Sequence, residues 1–312
     1  MKSKLILIFA IFVCSPFCGF AQADSLLGKW NLILEENGKK VPMWLEIKKS
    51  GVSTLVGSYC YKFGSARPVS EIEHNNGFFS FSVPNQWEPK GFDMRVSGMI
   101  DGDDLKGTLI FTDGSAHSWV GKRAPKLNYT ANPKWGSEIK LFNGKDLSGW
   151  SPFSDKPVAN QWIVEDGILR SPTPGANLVS NEKFKDFRLQ MEFRYPKGSN
   201  SGLYLRGRYE VQITDDVGKE PSSVYFGGVY GHLIPNEMAA KLPGEWQKYD
   251  ITLIGRRVTI VANGKTIIAD QNIPGMTGGA LDNDEASAGP IMLQGDHGPV
   301  DIKSIVITPV MN

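Results

Sequence analysis

Between Gly198 and Asp216 the chain reads GSNSGLYLRGRYEVQITDD, which gathers three carboxylates, two guanidiniums, two amides and two phenols into a short stretch. Asn200, Tyr204, Arg206, Glu210 and Gln212 are planar or bidentate groups, suited to the hydroxyls and carbonyls of a sugar. Read as one extended strand, the stretch sorts Leu203, Leu205, Tyr209, Val211 and Ile213 to one face. Tyr204, Arg206, Arg208, Glu210, Gln212 and Thr214 share the other. A two-residue hairpin at Gly207-Arg208 would carry Tyr204 and Arg206 round to the face of Tyr209 and Val211, so one long, bulged strand is expected. An exposed convex sheet would show the same alternation, its Arg and Glu making only weak cross-strand pairs.

Further candidates lie outside this stretch. His297 occupies a glycine-rich turn after Gln294 and Asp296, whereas His74, His117 and His232 are scattered. No His-x-x-x-His or cysteine cluster suggests zinc. A hard divalent cation held by Glu210, Asp215 or Asp296 with His297 stays open, and no other cofactor is indicated. Trp150, Trp162, Trp246 and Tyr230 are candidates for stacking on sugar rings. Tryptophans in alternating strands are mostly core residues, however, and Tyr230, flanked by Gly228 and Gly231, is the best placed.

The elements that must position these groups are strands. Apolar-aromatic runs at Lys29 to Leu34, Leu55 to Phe63, Gly77 to Val83, Met94 to Ile100, Leu105 to Phe111 and Ser118 to Lys122 alternate with turn residues. Glu36-Asn37-Gly38, Asn75-Asn76-Gly77, Asp101-Gly102-Asp103 and Asp113-Gly114 favour hairpins. Residues 24–125 are therefore expected to form a small antiparallel barrel or sandwich. Gly28-Lys29-Trp30 is similar to the opening of lipocalin-like barrels, and Trp30 reads as a core residue plugging the barrel. Residues 126–136, rich in Pro and Asn, read as a linker. From Ile139 to Ile307 the strand pattern resumes, including an Asn263-Gly264 hairpin, and its length suits a two-sheet jelly roll over residues 137–312. One short helix is expected near Asn236 to Lys241, capped by Asn236.

Residues 1–23 read as a secretory signal, with Lys2 and Lys4 before an apolar Leu5 to Val13 and an Ala21-Gln22-Ala23 cleavage region. Export to the periplasm or envelope follows as an expectation. Lipidation at Cys18 is the weaker alternative, because Ser15-Pro16-Phe17 lacks the usual leucine and small residues. Processing would leave Cys60 alone, without a disulfide partner. No segment reaches the apolar length of a spanning helix. The net charge of +1 and the lack of a basic run argue against a nucleic-acid partner.

Taken in order, Leu141 to Trp150 (LFNGKDLSGW), Trp162 with Asp166-Gly167, Asn200 to Gly207 running into Tyr209 to Ile213, Gly228-Val229-Tyr230-Gly231, Gly244-Glu245-Trp246, Asn263-Gly264 and Leu293 to Gly298 (LQGDHG) resemble the 3-keto-disaccharide hydrolase family. The resemblance covers nearly all of the C-terminal part and none of the N-terminal barrel. It implies an all-β, concanavalin-like jelly roll, and an oxidised glycoside or disaccharide as substrate. Where many relatives carry Arg-Asn after the His-Gly turn, this chain has Lys303-Ser304, which leaves any role of that pair in doubt.

A ketone at C3 acidifies the C2 proton, so a base can remove it and the enolate can expel the C1 substituent, after which water adds. Such chemistry needs a base near C2, a donor or cation at the C3 oxygen and an acid at the glycosidic oxygen. Glu210 is the candidate base, Arg206 the enolate stabiliser, and His297 or Tyr204 the proton donor, with Asp296 able to orient His297. Asn200, Gln212, Tyr230, Gln294 and Asp296 are the candidate substrate-binding residues. Two other readings stay open: a carbohydrate-binding module without catalysis, and an ordinary glycosidase with paired carboxylates. The second lacks an acid at positions 212 and 214.

Overall fold

The computed structural model describes residues 24–36, 38–154 and 158–311; the segment read as an export signal, 1–23, lies outside them. The first eight strands, β1 (Gly28–Glu36), β2 (Lys39–Ser50), β3 (Thr54–Cys60), β4 (Arg67–Asn75), β5 (Phe78–Val83), β6 (Met94–Asp101), β7 (Asp104–Ile110) and β8 (Ala116–Arg123), run up and down, and β8 closes on β1. The interior is filled by Trp30, Tyr59, Phe79 and Trp119. Trp30 donates its indole N–H to Leu26 O at 2.9 Å and lies under the Arg123 guanidinium.

Two of these strands carry no alternation in the sequence. In β2 every residue from Val41 to Ile47 is buried, because one face fills the barrel and the other meets the C-terminal part, so the period of two vanishes. In β4, Arg67-Pro68-Val69-Ser70-Glu71-Ile72 carries the chain past a register shift opposite Leu55 and Gly57, which puts Val69 and Ile72 inward at an odd spacing.

The C-terminal part is a two-sheet jelly roll. Its strands are β9 (Ile139–Lys140), β10 (Trp150–Phe153), β11 (Ile163–Glu165), β12 (Ile168–Ser171), β13 (Asn177–Phe184), β14 (Phe187–Arg194), β15 (Asn200–Leu205), β16 (Tyr209–Thr214), β17 (Gln247–Ile254), β18 (Arg257–Ala262), β19 (Lys265–Asn272), β20 (Gly289–Leu293) and β21 (Val300–Pro309). One sheet has five strands in the order β10-β13-β20-β15-β16. The other runs β11-β12-β21-β14-β17-β18-β19, with β9 added beside β21. Leu203, Leu205, Tyr209, Val211 and Ile213 turn inward to meet Phe193, Tyr249, Ile251 and Ile305 across the sandwich. Each Leu or Ile buried in this way contributes ~1.5–3 kcal/mol.

The single long strand expected over 198–216 is instead a hairpin, β15 and β16, turning through Arg206-Gly207-Arg208 with Arg206 and Gly207 in the left-handed region (φ 55 and 66). The face segregation nevertheless survives. A three-residue loop pairs Leu205 with Tyr209 and Tyr204 with Glu210, so odd residues stay with odd and even with even. Only a two-residue turn would have mixed them.

The helix expected near Asn236 to Lys241 does not form. Asn236 instead ties to the β19 backbone, its N–H to Ile267 O at 2.8 Å and its amide to Thr266 O at 3.1 Å. Segment 126–136 is irregular and lies against the jelly roll: Arg256 donates to Pro125 O at 3.0 Å, and the Arg257 guanidinium covers the Tyr129 ring.

The barrel seats on the jelly roll through β1, β2 and the loop after β3. Asn283 donates from its amide to Leu32 O at 2.7 Å and to Met43 O at 3.2 Å, and its own carbonyl accepts from the Asn31 amide at 2.7 Å. Trp44 meets His232 edge-on at 5.4 Å, and Gly279 N donates to Lys62 O at 2.8 Å. Cys60 lies buried in the same seam with Trp44 and Met276, and burial pushes its thiol up to about 12. Asn283→Ala leaves these carbonyls short of a buried donor, and should cost about 1–3 kcal/mol in denaturant unfolding. A midpoint equal to the wild type would show that the seam does not depend on this amide.

Candidate active site

The even-numbered face of the β15–β16 hairpin points away from the core, and three neighbours extend it into a floor. Across the hairpin Gly202 opposes Gln212 and Tyr204 opposes Glu210. Strand β20 lies beside β15, with Met292 opposite Tyr204 and Gln294 N donating to Gly202 O at 2.9 Å. On the free edge of β16, residues 227–230 run antiparallel: Gln212 N bonds Gly228 O at 3.0 Å and Tyr230 N bonds Glu210 O at 2.9 Å. Opposed residues share a face. One row is therefore Met292, Tyr204, Glu210, Tyr230, and the next is Gln294, Gly202, Gln212, Gly228.

Glu210 is 3% exposed. Its Oε2 is 2.8 Å from the Tyr204 hydroxyl, while Oε1 has no donor among the described residues. The carboxylate leans over Gly202, where a Cβ would lie 2.3 Å from Oε1, so only a glycine leaves room for it. Burial pushes its pKa up to about 8, more than the Tyr204 hydrogen bond and the His297 charge hold it down. A carboxyl group in this state exchanges its proton near neutral pH.

The Tyr204 hydroxyl also lies 3.0 Å from Gly278 O, and it has one hydrogen to give. When Glu210 is ionised the phenol donates to the carboxylate; when Glu210 is protonated the acid donates to the phenol and the phenol to Gly278. The pair thus accommodates both protonation states without moving. Glu210 N is fixed by Thr277 Oγ1 at 3.0 Å, so the segment from Thr277 to Gly279 holds both members.

At the rim, Asp296 and His297 are about half exposed, and Oδ1 of the first lies 2.6 Å from Nδ1 of the second. These sequence neighbours do meet. The Asp296 hydrogen bond raises the His297 pKa above the usual imidazole value, against partial burial, with the Asp296 and Glu210 charges adding to the rise. Gly298 packs against Asn200 and Ser199, which brings the His297 turn over β15. Around the floor, the side-chain oxygens of Asn200, Gln212 and Gln294 are buried with no hydrogen-bond partner among the described residues. Such orphaned groups await a ligand or water. Tyr230 is half-buried, and its hydroxyl interacts with the Trp87 side chain of the barrel.

The structure moves other residues out of the site. Arg206, expected to stabilise an enolate, is fully buried on the core side of the hairpin loop. It donates to Gly255 O at 2.6 Å and to the Tyr209 hydroxyl at 3.2 Å. Nearby, Glu285 takes hydrogen bonds from Tyr209 and from both ends of Arg256, and these overcome burial to hold its carboxyl below the usual value. Arg208 is likewise spent, on Asp282 Oδ1 at 2.5 Å and Ser287 O at 2.9 Å. Tyr204, the alternative proton donor, is committed to Glu210 and Gly278 and holds that carboxyl group in place instead.

Trp150 and Trp162 are core residues bonded to Leu141 O and Ala176 O, and Trp246 lies with Arg194 and Lys303. Lys303-Ser304, the departure from the family pattern, sits on β21 opposite Glu192, in the sheet that does not carry Glu210. Asp215 accepts from Gly198 N at 2.9 Å at the far end of the hairpin, and no group of three or more His, Cys, Asp and Glu suited to a metal occurs among the described residues. Two surface hollows on the other sheet, one lined by Tyr129 and Arg257 and one by Gln190 and Lys248, have none of this chemistry; Arg257 is already paired with Asp270. Sequence reasoning missed Gly202, Thr277 and Gly278, whose roles depend on contacts between distant segments.

The sequence has relatives among known proteins. The model of 3-keto-α-glucoside-1,2-lyase-like domains matches residues 137–308. A 3-keto-disaccharide hydrolase of Bacteroides thetaiotaomicron is 32% identical over 91 residues, a stretch that is 26% of this chain and spans only 31% of that protein's length. Among solved structures, a Parabacteroides distasonis protein provisionally classed as a glycosyl hydrolase is 29% identical, with 58% of this chain and 93% of the other covered at a TM-score of 0.47. An endo-β-1,3(4)-glucanase of glycoside hydrolase family 16 is 9% identical, with 60% and 95% covered at a TM-score of 0.40. Since the matched segment takes in more than half of the sequence, and with it the hairpin, Tyr230 and the His297 turn, the chain belongs to the 3-keto-α-glucoside-1,2-lyase-like domain family.

Proposed function

We propose that this protein cleaves 3-keto-glycosides by β-elimination and hydration, with Glu210 as the base. The observation that carries this reading is a buried carboxylate with one oxygen free and its pKa raised to about 8, beside three buried amide oxygens, of Asn200, Gln212 and Gln294, without a partner among the described residues. Glu210 takes the C2 proton, and the electron pair delocalises onto the C3 oxygen. The C1–O bond then breaks, C1=C2 forms, and His297 protonates the departing oxygen. Water adds across C1=C2, hydroxyl to C1 and proton to C2, giving net hydrolysis. With Arg206 committed elsewhere, the amide N–H₂ groups of Gln294 and Asn200 are donors at the floor that can serve the C3 oxygen.

The two-carboxylate alternative is less well supported, because Asp296, the carboxylate that acts electrostatically on Glu210, is already bonded to His297. A pure binding module has no use for an acid that burial makes costly to ionise. The export read from residues 1–23 would place the reaction outside the cytoplasm.

Purified protein should release the aglycone from a 3-keto-glycoside and not from its unoxidised parent. Aglycone release from both would sink the elimination step. For the free enzyme kcat/KM should climb as pH rises through about 8. Glu210→Gln should lower it by about 10²–10⁴ and remove that limb; a variant within a few-fold of wild type ends the role of Glu210.

The same group leaves a mark on stability. Its folded pKa, about 8, lies above the ordinary 4.5, so between these values the unfolded chain gives up a proton that the folded protein keeps, and stability falls as pH rises across that window. Glu210→Gln keeps an acceptor for Tyr204 and abolishes the effect. Its melting temperature should exceed that of the wild type by a margin that widens from pH 5 to pH 8 and then levels off. A margin independent of pH would mean that the carboxyl is not held in its acid form.

Gly202→Ala offers a positional test. Its backbone is not left-handed, and the three atoms nearest the new methyl all belong to the Glu210 side chain rather than to backbone. The variant should fold with a near-normal melting curve and lose most of its turnover; undiminished activity would show that the carboxylate need not lie over Gly202.

A further inference from the structure

The barrel lies outside the family match, yet one of its loops reaches the site. Between β5 and β6, Glu88 folds back so that its Oε2 accepts from Gln86 N at 2.7 Å and from Trp87 N at 3.2 Å, while Oε1 pairs with buried Arg67 at 2.9 Å. Gln86 clamps Ser65 from both ends of its amide, accepting from Ser65 N at 2.9 Å and donating to Ser65 Oγ at 2.7 Å. The neighbours of Trp87, Gln86 and Glu88, are thus spent on fixing the loop, and Trp87 itself is 69% exposed.

The place where it is held matters more than the exposure. Trp87 Cδ1 lies 3.1 Å from where a Cβ on Gly64 would be. Gly64 O in turn lies 2.2 Å from the Cβ position of Gly278, whose carbonyl faces the Tyr204 hydroxyl. On its other side Trp87 touches Tyr230, which opposes Glu210. The nearby Gly231 abuts Ser65 and Ala66 of the barrel. An exposed indole, rigidly presented at the margin of a sugar site, is a preorganised platform for a second ring.

We infer that Trp87 stacks on the leaving sugar of the substrate, so that the barrel selects a disaccharide over a glycoside with a small aglycone. The inference rests on the elimination reading for its orientation: when the oxidised ring sits over Glu210, the other ring of a disaccharide is the one attached at C1.

Trp87→Ala and Trp87→Phe separate this role from a structural one, because the side chain is exposed and both variants should melt with the wild type. On a 3-keto-disaccharide, Trp87→Ala should raise KM about tenfold with kcat little changed. The methyl 3-keto-glycoside should be turned over as by wild type, and Trp87→Phe, which keeps a flat apolar face, should restore most of the loss. An Ala variant unchanged on the disaccharide, or equally impaired on the methyl glycoside, overturns the platform.

Calorimetric titration with the unoxidised disaccharide distinguishes the two readings. A wild type that binds it, while turning over neither oxidised substrate, overturns the elimination and leaves the platform supported if Trp87→Ala weakens binding. A wild type that does not bind it, or an Ala variant that binds equally well, overturns the platform.

Discussion

A carboxylate deprived of water sets the terms for the rest of this molecule. Glu210 stands on a strand whose alternate residues belong to the hydrophobic core, and it is nearly as buried as they are, on the opposite face of the sheet. Such a position is unfavourable for a charge. What makes it tolerable is a partner that serves either protonation state, the Tyr204 hydroxyl, itself backed by the Gly278 carbonyl. The group is left neither fully ionised nor inert, which is the condition a base needs to act and to be regenerated.

Holding that arrangement depends on the loop at the end of the hairpin. Arg206 takes a left-handed conformation, uncommon for a residue with a side chain, and is kept there by its bonds to Gly255 O and Tyr209. The Tyr209 hydroxyl continues to Glu285, and Glu285 to Arg256. The guanidinium therefore acts on the site through geometry: it stabilises the odd-length loop, and the loop sets which residue opposes Glu210. A charged residue beside a carboxylate in the sequence need not be beside it in space.

The strand grammar, the hairpin turns at Asn76-Gly77 and Asn263-Gly264, and the sorting of Leu203, Val211 and Ile213 from Glu210 and Gln212 were legible because each follows from local spacing. Strand β2 was not, since burial on both faces erases alternation, and Pro42 reads as a breaker. The Asn236 helix was misread because a cap signal is local while the competing bonds come from β19. Within the site, the functional types on the floor could be recognised from the sequence. The sense of the hairpin turn, and with it the fate of Arg206, rested on one residue of loop length that no periodicity encodes.

The remaining gap concerns the barrel, whose sequence gives only a compact antiparallel structure. Its relevance emerges from contact order alone: Lys62 O, Gly64 and Trp87 meet Gly279, Gly278 and Tyr230, residues more than a hundred positions away. Gly278 has the barrel on one side and Tyr204 on the other, so no room exists for the barrel to shift without disturbing the carbonyl that completes the Glu210 pair. The seam between the two parts is consequently one wall of the candidate site. A jelly roll of this family that lacked the barrel would have to hold its counterpart of Tyr204 by other means, and the edge beside Tyr230 would then be open to solvent.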